Sequence, residues 1–233
     1  MTEQPAGRKP RGNLFVVATP IGNLEDLSFR ALRILGEVDI IACEDTRQTK
    51  KLLNKHNLKK RLISYFQPKE RQKIPLIINL LKEGKDVALV SDAGTPGLSD
   101  PGYLLIREAI REEIKLIPIP GASALTAALT ASGLPTDRFL FIGFPPAKKE
   151  KTRKLLKSLK TEESTLVFYV PSRKILFFLE FIKEVIGNRE AVIAREMTKI
   201  HEEFLRGRIE ELIEKLSGKT LKGEATVLVK GSK

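Results

Sequence analysis

The chain has 233 residues, 42% of them hydrophobic and 30% charged, with a formal net charge of +12. That length suits one large domain or two modest ones, no run nears the ~20 apolar residues of a membrane span, and a lone cysteine, Cys43, excludes an internal disulfide framework and a multi-cysteine metal site. A neutral metabolite gives no reason for so basic a composition, whereas a phosphate backbone rewards it.

Residues 1–13 are polar, carry Arg8, Lys9 and Arg11 and contain no apolar core of a signal peptide, so a flexible tail and a cytoplasmic protein are expected. From Leu14 onward, strand-like and helical runs alternate. Leu14–Ala18 reads as a strand and Ser28–Glu37 as a helix, with Phe29, Leu32, Ile34 and Leu35 at helical spacing. Val38–Cys43 is the next strand, followed by a basic helix near Thr46–His56. Leu62–Phe66 (strand), Pro75–Leu81 (within a helix) and Val87–Val90 (strand) continue the pattern. A helix begins near Tyr103 and ends near Glu113, and Ile114–Ile119 gives a fifth strand. Apolar runs bounded by helices indicate a mainly parallel sheet covered on both faces.

Pro118-Ile-Pro120-Gly121 marks a break, which divides the chain into an N-terminal α/β domain over 14–119 and a C-terminal α/β domain over 120–233. The second half runs helix 122–132, strand 139–144, basic helix 148–160, strand 165–170, helix 175–186, strand 191–197, helix 209–216 and strand 225–229. Its strands are expected to form a mixed sheet.

Three loops follow strands and are rich in residues that permit close backbone approach: Ala18–Leu24, Ser91–Gly102 and Pro120–Ala124. The second runs twelve positions, about twice the usual length of a strand-to-helix connection, at the strand end where open α/β sheets bind ligands. The third opens a helix, whose amino end favours an anionic group. None matches a dinucleotide fingerprint or a P-loop.

Read together, Val17-Ala-Thr-Pro-Ile-Gly-Asn-Leu-Glu-Asp-Leu-Ser28, Glu44-Asp-Thr-Arg47, Ser91-Asp-Ala-Gly-Thr-Pro-Gly97, Pro120-Gly-Ala-Ser-Ala124 and Arg195-Glu-Met-Thr-Lys-Ile-His-Glu202 resemble the tetrapyrrole methylase superfamily, the class III S-adenosylmethionine-dependent methyltransferases. Within it they are most similar to the branch acting on small-subunit ribosomal RNA, and the resemblance spans Leu14 to Val229. It implies two α/β domains with S-adenosyl-L-methionine in the cleft between them, a homodimer, and 2′-O-methylation of a cytidine in the decoding region of 16S rRNA, as naked rRNA or small ribosomal subunit. Many members carry a further C-terminal helical segment, with which any RNA contact it makes would be missing here. Carried onto this sequence, the resemblance places Pro20 and Ile21 beside the methyl donor, and Gly94, Thr95 and Leu98 at its amino-acid end, with Asp92 orienting their loop. It also places Ser123, Ala124, Tyr169 and Ala225 at the donor, Ala225 serving equally well as core.

Two acid-poor clusters supply the charge. The first contains Lys50, Lys51 and Lys55, and the second Lys148, Lys149 and Arg153, just after the stiff Phe144-Pro-Pro146 link. With Lys199, these are the expected RNA contacts; Lys199 pairs equally well with Glu202 or Glu203. Glu44-Asp45-Thr46-Arg47 follows a strand, where Asp45 or Glu44 can accept a hydroxyl proton and Arg47 can grip a phosphate bidentately. Capping of the basic helix explains Asp45 as well as catalysis does. No metal is assigned to His56 or His201, which lack clustered Cys or His partners. Two other functions use the same features: methylation of a tetrapyrrole or other small molecule, and ribosome-associated RNA binding without catalysis.

Overall fold

Short, mostly apolar strands build the first sheet. In the computed structural model, which describes residues 11–233, they are β1 (Leu14–Val17), β2 (Ile40–Cys43), β3 (Arg61–Ser64), β4 (Val87–Val90) and β5 (Leu116–Ile119). They lie in the order β3-β2-β4-β1-β5, and every pair is parallel. Between them run α1 (Phe29–Glu37), α2 (Thr46–Lys55), α3 (Glu70–Lys82) and α4 (Tyr103–Arg111). Successive strand residues alternate between faces. Phe15, Val17, Ile41, Cys43, Ala88 and Val90 pack with Ala31, Ile34 and Leu35 of α1 and Leu53 of α2. Leu14, Ile40, Ala42, Val87 and Leu89 pack with Ile77, Ile78 and Leu81 of α3 and with Leu105 and Ala109 of α4.

The order explains that division. Right-handed crossovers that run one way along a sheet place their helices on one face, and reversed crossovers place them on the other. The chain leaves β1 toward β2 and leaves β4 toward β5, in opposite directions, although β1 and β4 are neighbours. Their carboxyl ends therefore form a topological switch point, where α/β sheets bind ligands.

The described residues divide into two compact units, the first ending at Ala122 and the second beginning at Ser123. The second unit contains α5 (Ala124–Ser132), β6 (Phe139–Gly143), α6 (Lys149–Ser158), β7 (Thr165–Pro171), α7 (Ile175–Ile186), β8 (Glu190–Arg195), β9 (Glu203–Arg208), α8 (Ile209–Leu216) and β10 (Glu224–Val229). Its strand order is β6-β7-β10-β8-β9; β6 and β7 are parallel and the other pairs antiparallel, a mixed sheet as expected. Leu156 of α6, the apolar face of α7, and Ile209, Leu212 and Leu216 of α8 close its core.

Several expected boundaries move. Val38 and Asp39 precede β2 and Ile114 precedes β5. α3 runs from Glu70 to Lys82, so Pro75–Leu81 lies within a helix as expected. Ala122 is outside α5, because the extended Ser123, at φ −149°, is its N-cap. Strand β9 is an addition: Glu203-Phe-Leu-Arg-Gly-Arg208 is an edge strand, where charged side chains are tolerated and prevent edge-to-edge pairing. From it, Arg206 donates to the carbonyls of Ser132 at 3.2 Å and Ala131 at 2.6 Å, satisfying the end of α5. Of the tail expected over 1–13, residues 1–10 lie outside the described residues. Residues 11–13 are tied down: Arg11 donates to the Glu112 carbonyl, the Gly12 amide to Leu81 at 2.8 Å, and the Asn13 amide to Asp86 at 2.7 Å.

Candidate active site

The site begins at the switch point. Past β1 and β4 the two chains stay bonded, the Thr19 amide donating to Gly94 at 2.9 Å and the Gly94 amide to Thr19 at 3.0 Å. The buried Thr19 hydroxyl donates to the Ser91 carbonyl at 3.1 Å, locking the base of the long loop. The third loop closes on both. Thr95 Oγ1 donates to the Ala122 carbonyl at 3.3 Å, and a Cβ added to Gly121 would lie 3.0 Å from that of Ala18. Gly94 sits where the three meet, at φ +84°; a Cβ there would be 3.4 Å from Ile21 Cγ2 and 3.8 Å from the Ala122 oxygen. The first unit thus brings together Pro20, Ile21, Gly94 and Thr95. Leu98, on the same loop, is 40% exposed. Thr19 and the Ala122 carbonyl complete the junction; neither was singled out from sequence, although Thr19 lies inside the Ala18–Leu24 loop.

A fourth loop joins at the end of β2. The Asp45 amide donates to Asp92 Oδ1 at 2.9 Å, tying the long loop to the end of β2. Asp45 is the N-cap of α2, accepting from the Arg47 amide at 2.8 Å. The Arg47 guanidinium folds back onto the same carboxylate, with Nε at 3.1 Å from Oδ1 and an Nη at 2.7 Å from Oδ2. These bonds hold the Asp45 carboxyl down at about 2. Arg47 therefore has a local role as well as any role toward a ligand, and its side chain remains 86% exposed. Glu44 goes the other way: burial, then the nearby carboxylates of Asp92, Asp100 and Asp45, push it up to about 6. Burial likewise raises Asp92 and the Cys43 thiol.

The other donor candidates belong to the second unit. The Ser123 hydroxyl makes no capping bond to α5, although its position is that of the cap. Tyr169 lies on β7 against the edges of Phe141 and Phe144, at 5.0 and 5.6 Å between ring centroids. Ala225 is 5% exposed and packed in the core cluster, which gives its methyl a structural role.

The basic clusters divide by engagement. On α2, Lys50, Lys51 and Lys55 are exposed, opposite the buried Thr49, Leu52 and Leu53. Lys148 is the exposed N-cap residue of α6. Arg153 is committed, pairing with Glu184 at 2.5 Å and lying 4.9 Å from the Phe181 ring centroid. Lys199 pairs with Glu196 at 3.0 Å, not with Glu202 or Glu203: Glu202 accepts from the Thr198 amide and Glu203 pairs with Arg195. Among the described residues, no group of three or more His, Cys, Asp or Glu could hold a metal ion. No helix among them is long and apolar enough to cross a membrane.

Residues 13–213 match the family model described as Tetrapyrrole (Corrin/Porphyrin) Methylases. Over 220 residues the chain is 51% identical to the ribosomal RNA small subunit methyltransferase I of Thermotoga maritima, covering 94% of this chain and 99% of that protein. It is 42% identical to the protein of that name from Bacillus subtilis, covering 97% and 77% of the two chains. The chain belongs to this family of tetrapyrrole methylases. Family membership agrees with the two α/β units and with the loops tied together at the switch point. Among solved structures, diphthine synthase matches with a TM-score of 0.70 at 20% identity, covering 94% of this chain and 90% of that one. A uroporphyrin-III C-methyltransferase from Thermus thermophilus, complexed with S-adenyl homocysteine, matches at 0.65 and 18%, covering 93% and 97%. Both establish the shared fold.

Proposed function

We propose that this chain transfers the methyl group of S-adenosylmethionine to the 2′-oxygen of a cytidine in the decoding region of small-subunit ribosomal RNA, working as a cytoplasmic homodimer. The observation that carries the reading is the junction at Gly94. There, three backbone-rich loops meet at a sheet's ligand-binding edge, in a chain about half identical to a ribosomal RNA small subunit methyltransferase. The junction suits the donor: Gly94 leaves open the space a Cβ would fill, and Thr95, Ile21 and the Ala122 carbonyl border it. Pro20 and Leu98, and Ser123 and Ala124 at the start of α5, are the remaining contacts assigned to it. Held there, S-adenosylmethionine would supply an electrophilic methyl group on a sulfonium, with a neutral thioether as the leaving group.

The chain's own residues align the ribose and take its proton. Alignment of attacking oxygen and methyl carbon supplies much of the rate. Glu44 is the better proton acceptor, since a carboxyl held near 6 is a stronger base than one held near 2. Asp45 serves as cap and as seat for Arg47, whose exposed guanidinium can exchange its carboxylate for an RNA phosphate. Lys50, Lys51, Lys55, Lys148 and Lys149 supply sequence-independent attraction to the backbone. The test is a map of ribose methylation on small-subunit rRNA from a deletion strain, complemented with wild type or Gly94→Val. Loss of one 2′-O-methylcytidine, restored only by wild type, supports the reading; an unchanged map rejects it.

A further inference from the structure

The second unit carries a feature that methyl transfer does not use. Phe177, on the first turn of α7, is 45% exposed, whereas its stacking partner Phe181 is 6% exposed. Their centroids are 5.8 Å apart and their planes 19° from parallel. The inner ring is fixed in turn by Arg153, 4.9 Å from its centroid and paired with Glu184 at 2.5 Å. Phe177 is therefore a surface ring held rigidly from behind. A buried side chain has lost its rotamer freedom to packing, but a half-exposed phenylalanine gains little from folding.

Its surroundings are mostly cationic, the exposed Glu180 one turn further along α7 aside. The Lys149 ammonium lies 5.1 Å from the Phe177 centroid. Arg173 and Lys174, one turn earlier along the chain, are exposed. Among the described residues, none of these three forms an ion pair with a carboxylate. The exposed side of α6 adds Lys148, Lys151, Lys154 and Lys157. An apolar protein partner would meet unpaired charges here that burial penalises. A surface ring with one ammonium on its face and exposed cations one turn away fits a polyanion that also has flat apolar faces.

We propose that Phe177 is a stacking platform for an unpaired base of single-stranded RNA, with Lys149, Arg173 and Lys174 on the flanking phosphates. The Lys149 ammonium leaves the ring for a phosphate as the base takes its place. The inference rests on the RNA reading above and extends it to a surface that the family motifs do not touch.

The experiment measures binding of a single-stranded RNA oligonucleotide containing 2-aminopurine, whose fluorescence falls when the base stacks. Base–aromatic stacking is worth about 1–3 kcal/mol per base by alanine substitution, so Phe177→Ala should weaken binding by about 5- to 150-fold. Its salt slope should stay that of wild type and the quenching should disappear, while Phe177→Tyr keeps both affinity and quenching. The double variant Arg173→Gln, Lys174→Gln should instead lower the slope by about 1.4, at ~0.7 per phosphate contact on single strands. Phe177→Ala binding within twofold of wild type, with quenching intact, overturns the platform alone. If that variant loses self-association in sedimentation while binding RNA normally, Phe177 is a contact between copies, and the proposal fails. Absence of RNA binding by wild type overturns the functional reading itself.

Discussion

Gly94 offers the sharpest perturbation, because its space and its backbone can be separated. At 3.4 Å from Ile21 and 3.8 Å from the Ala122 oxygen, a single added Cβ makes ordinary contacts, so alanine fits. Its cost is conformational: an L-residue in the left-handed region loses about 1–2 kcal/mol. At about 2–4 °C per kcal/mol for a chain of this size, Gly94→Ala should lower Tm by about 2–8 °C. Valine adds two methyls against neighbours already in contact, and overpacking of that kind costs about 1–3 kcal/mol more. Gly133 supplies the control. Its φ is +80° and a Cβ there meets nothing within 4 Å, so Gly133→Ala carries the backbone cost without touching the loops. Calorimetry with S-adenosylmethionine should show wild-type affinity for Gly133→Ala, reduced affinity for Gly94→Ala and no measurable binding for a folded Gly94→Val. A folded Gly94→Val that binds the donor like wild type would refute the assignment of the junction.

Arg47→Ala should depress single-turnover methylation at least tenfold while leaving donor affinity unchanged, and lysine should restore it only in part, lacking the planar fork. Asp45→Asn should keep near wild-type Tm and turnover, since an amide still caps α2; a turnover loss beyond tenfold at unchanged Tm would reinstate Asp45 as the base. Glu44, raised to about 6 from the usual 4.5, should give transfer an acid limb with an apparent pKa near 6, and Glu44→Gln should depress transfer by about 10²- to 10⁴-fold and remove that limb. The folded state holds that proton more tightly than the unfolded chain, so Glu44 costs stability as pH rises from 4.5 through 6. Glu44→Gln should accordingly raise Tm at pH 8 and leave it unchanged at pH 4, read by calorimetric scanning. Neutralising Lys50, Lys51 and Lys55 together should lower the salt slope of RNA binding by about 2, at ~0.7 per contact, with donor affinity intact.

Much of this was legible because it depends on short-range physics. The runs of β1, β2 and β4 are apolar throughout and packed on both faces, and the glycine-rich stretches announce close backbone approach. What sequence could not supply was pairing across the chain. That Thr19 bonds Gly94, or that the Asp45 amide meets Asp92, depends on strand order, which periodicity does not encode. That Asp45 caps α2 and also holds the Arg47 guanidinium became visible only in the structure. Glu44 gained its distinction from burial and three acidic neighbours, two of them from another loop. Strand β9 stayed hidden because an edge strand needs no apolar alternation, and the start of α3 because its first turn, Glu70-Arg-Gln-Lys73, is polar. Arg153, read as an RNA contact, turned out to be held by Glu184 and Phe181.

Nucleoside mass spectrometry after incubation of the purified protein with methyl-labelled S-adenosylmethionine and small ribosomal subunits or naked 16S rRNA tests the central claim most directly. The account predicts one labelled 2′-O-methylcytidine, located in the decoding region, formed by wild type and not by Gly94→Val. Label on a base, label on another ribose, or no label on RNA when a tetrapyrrole offered in its place becomes methylated would contradict it.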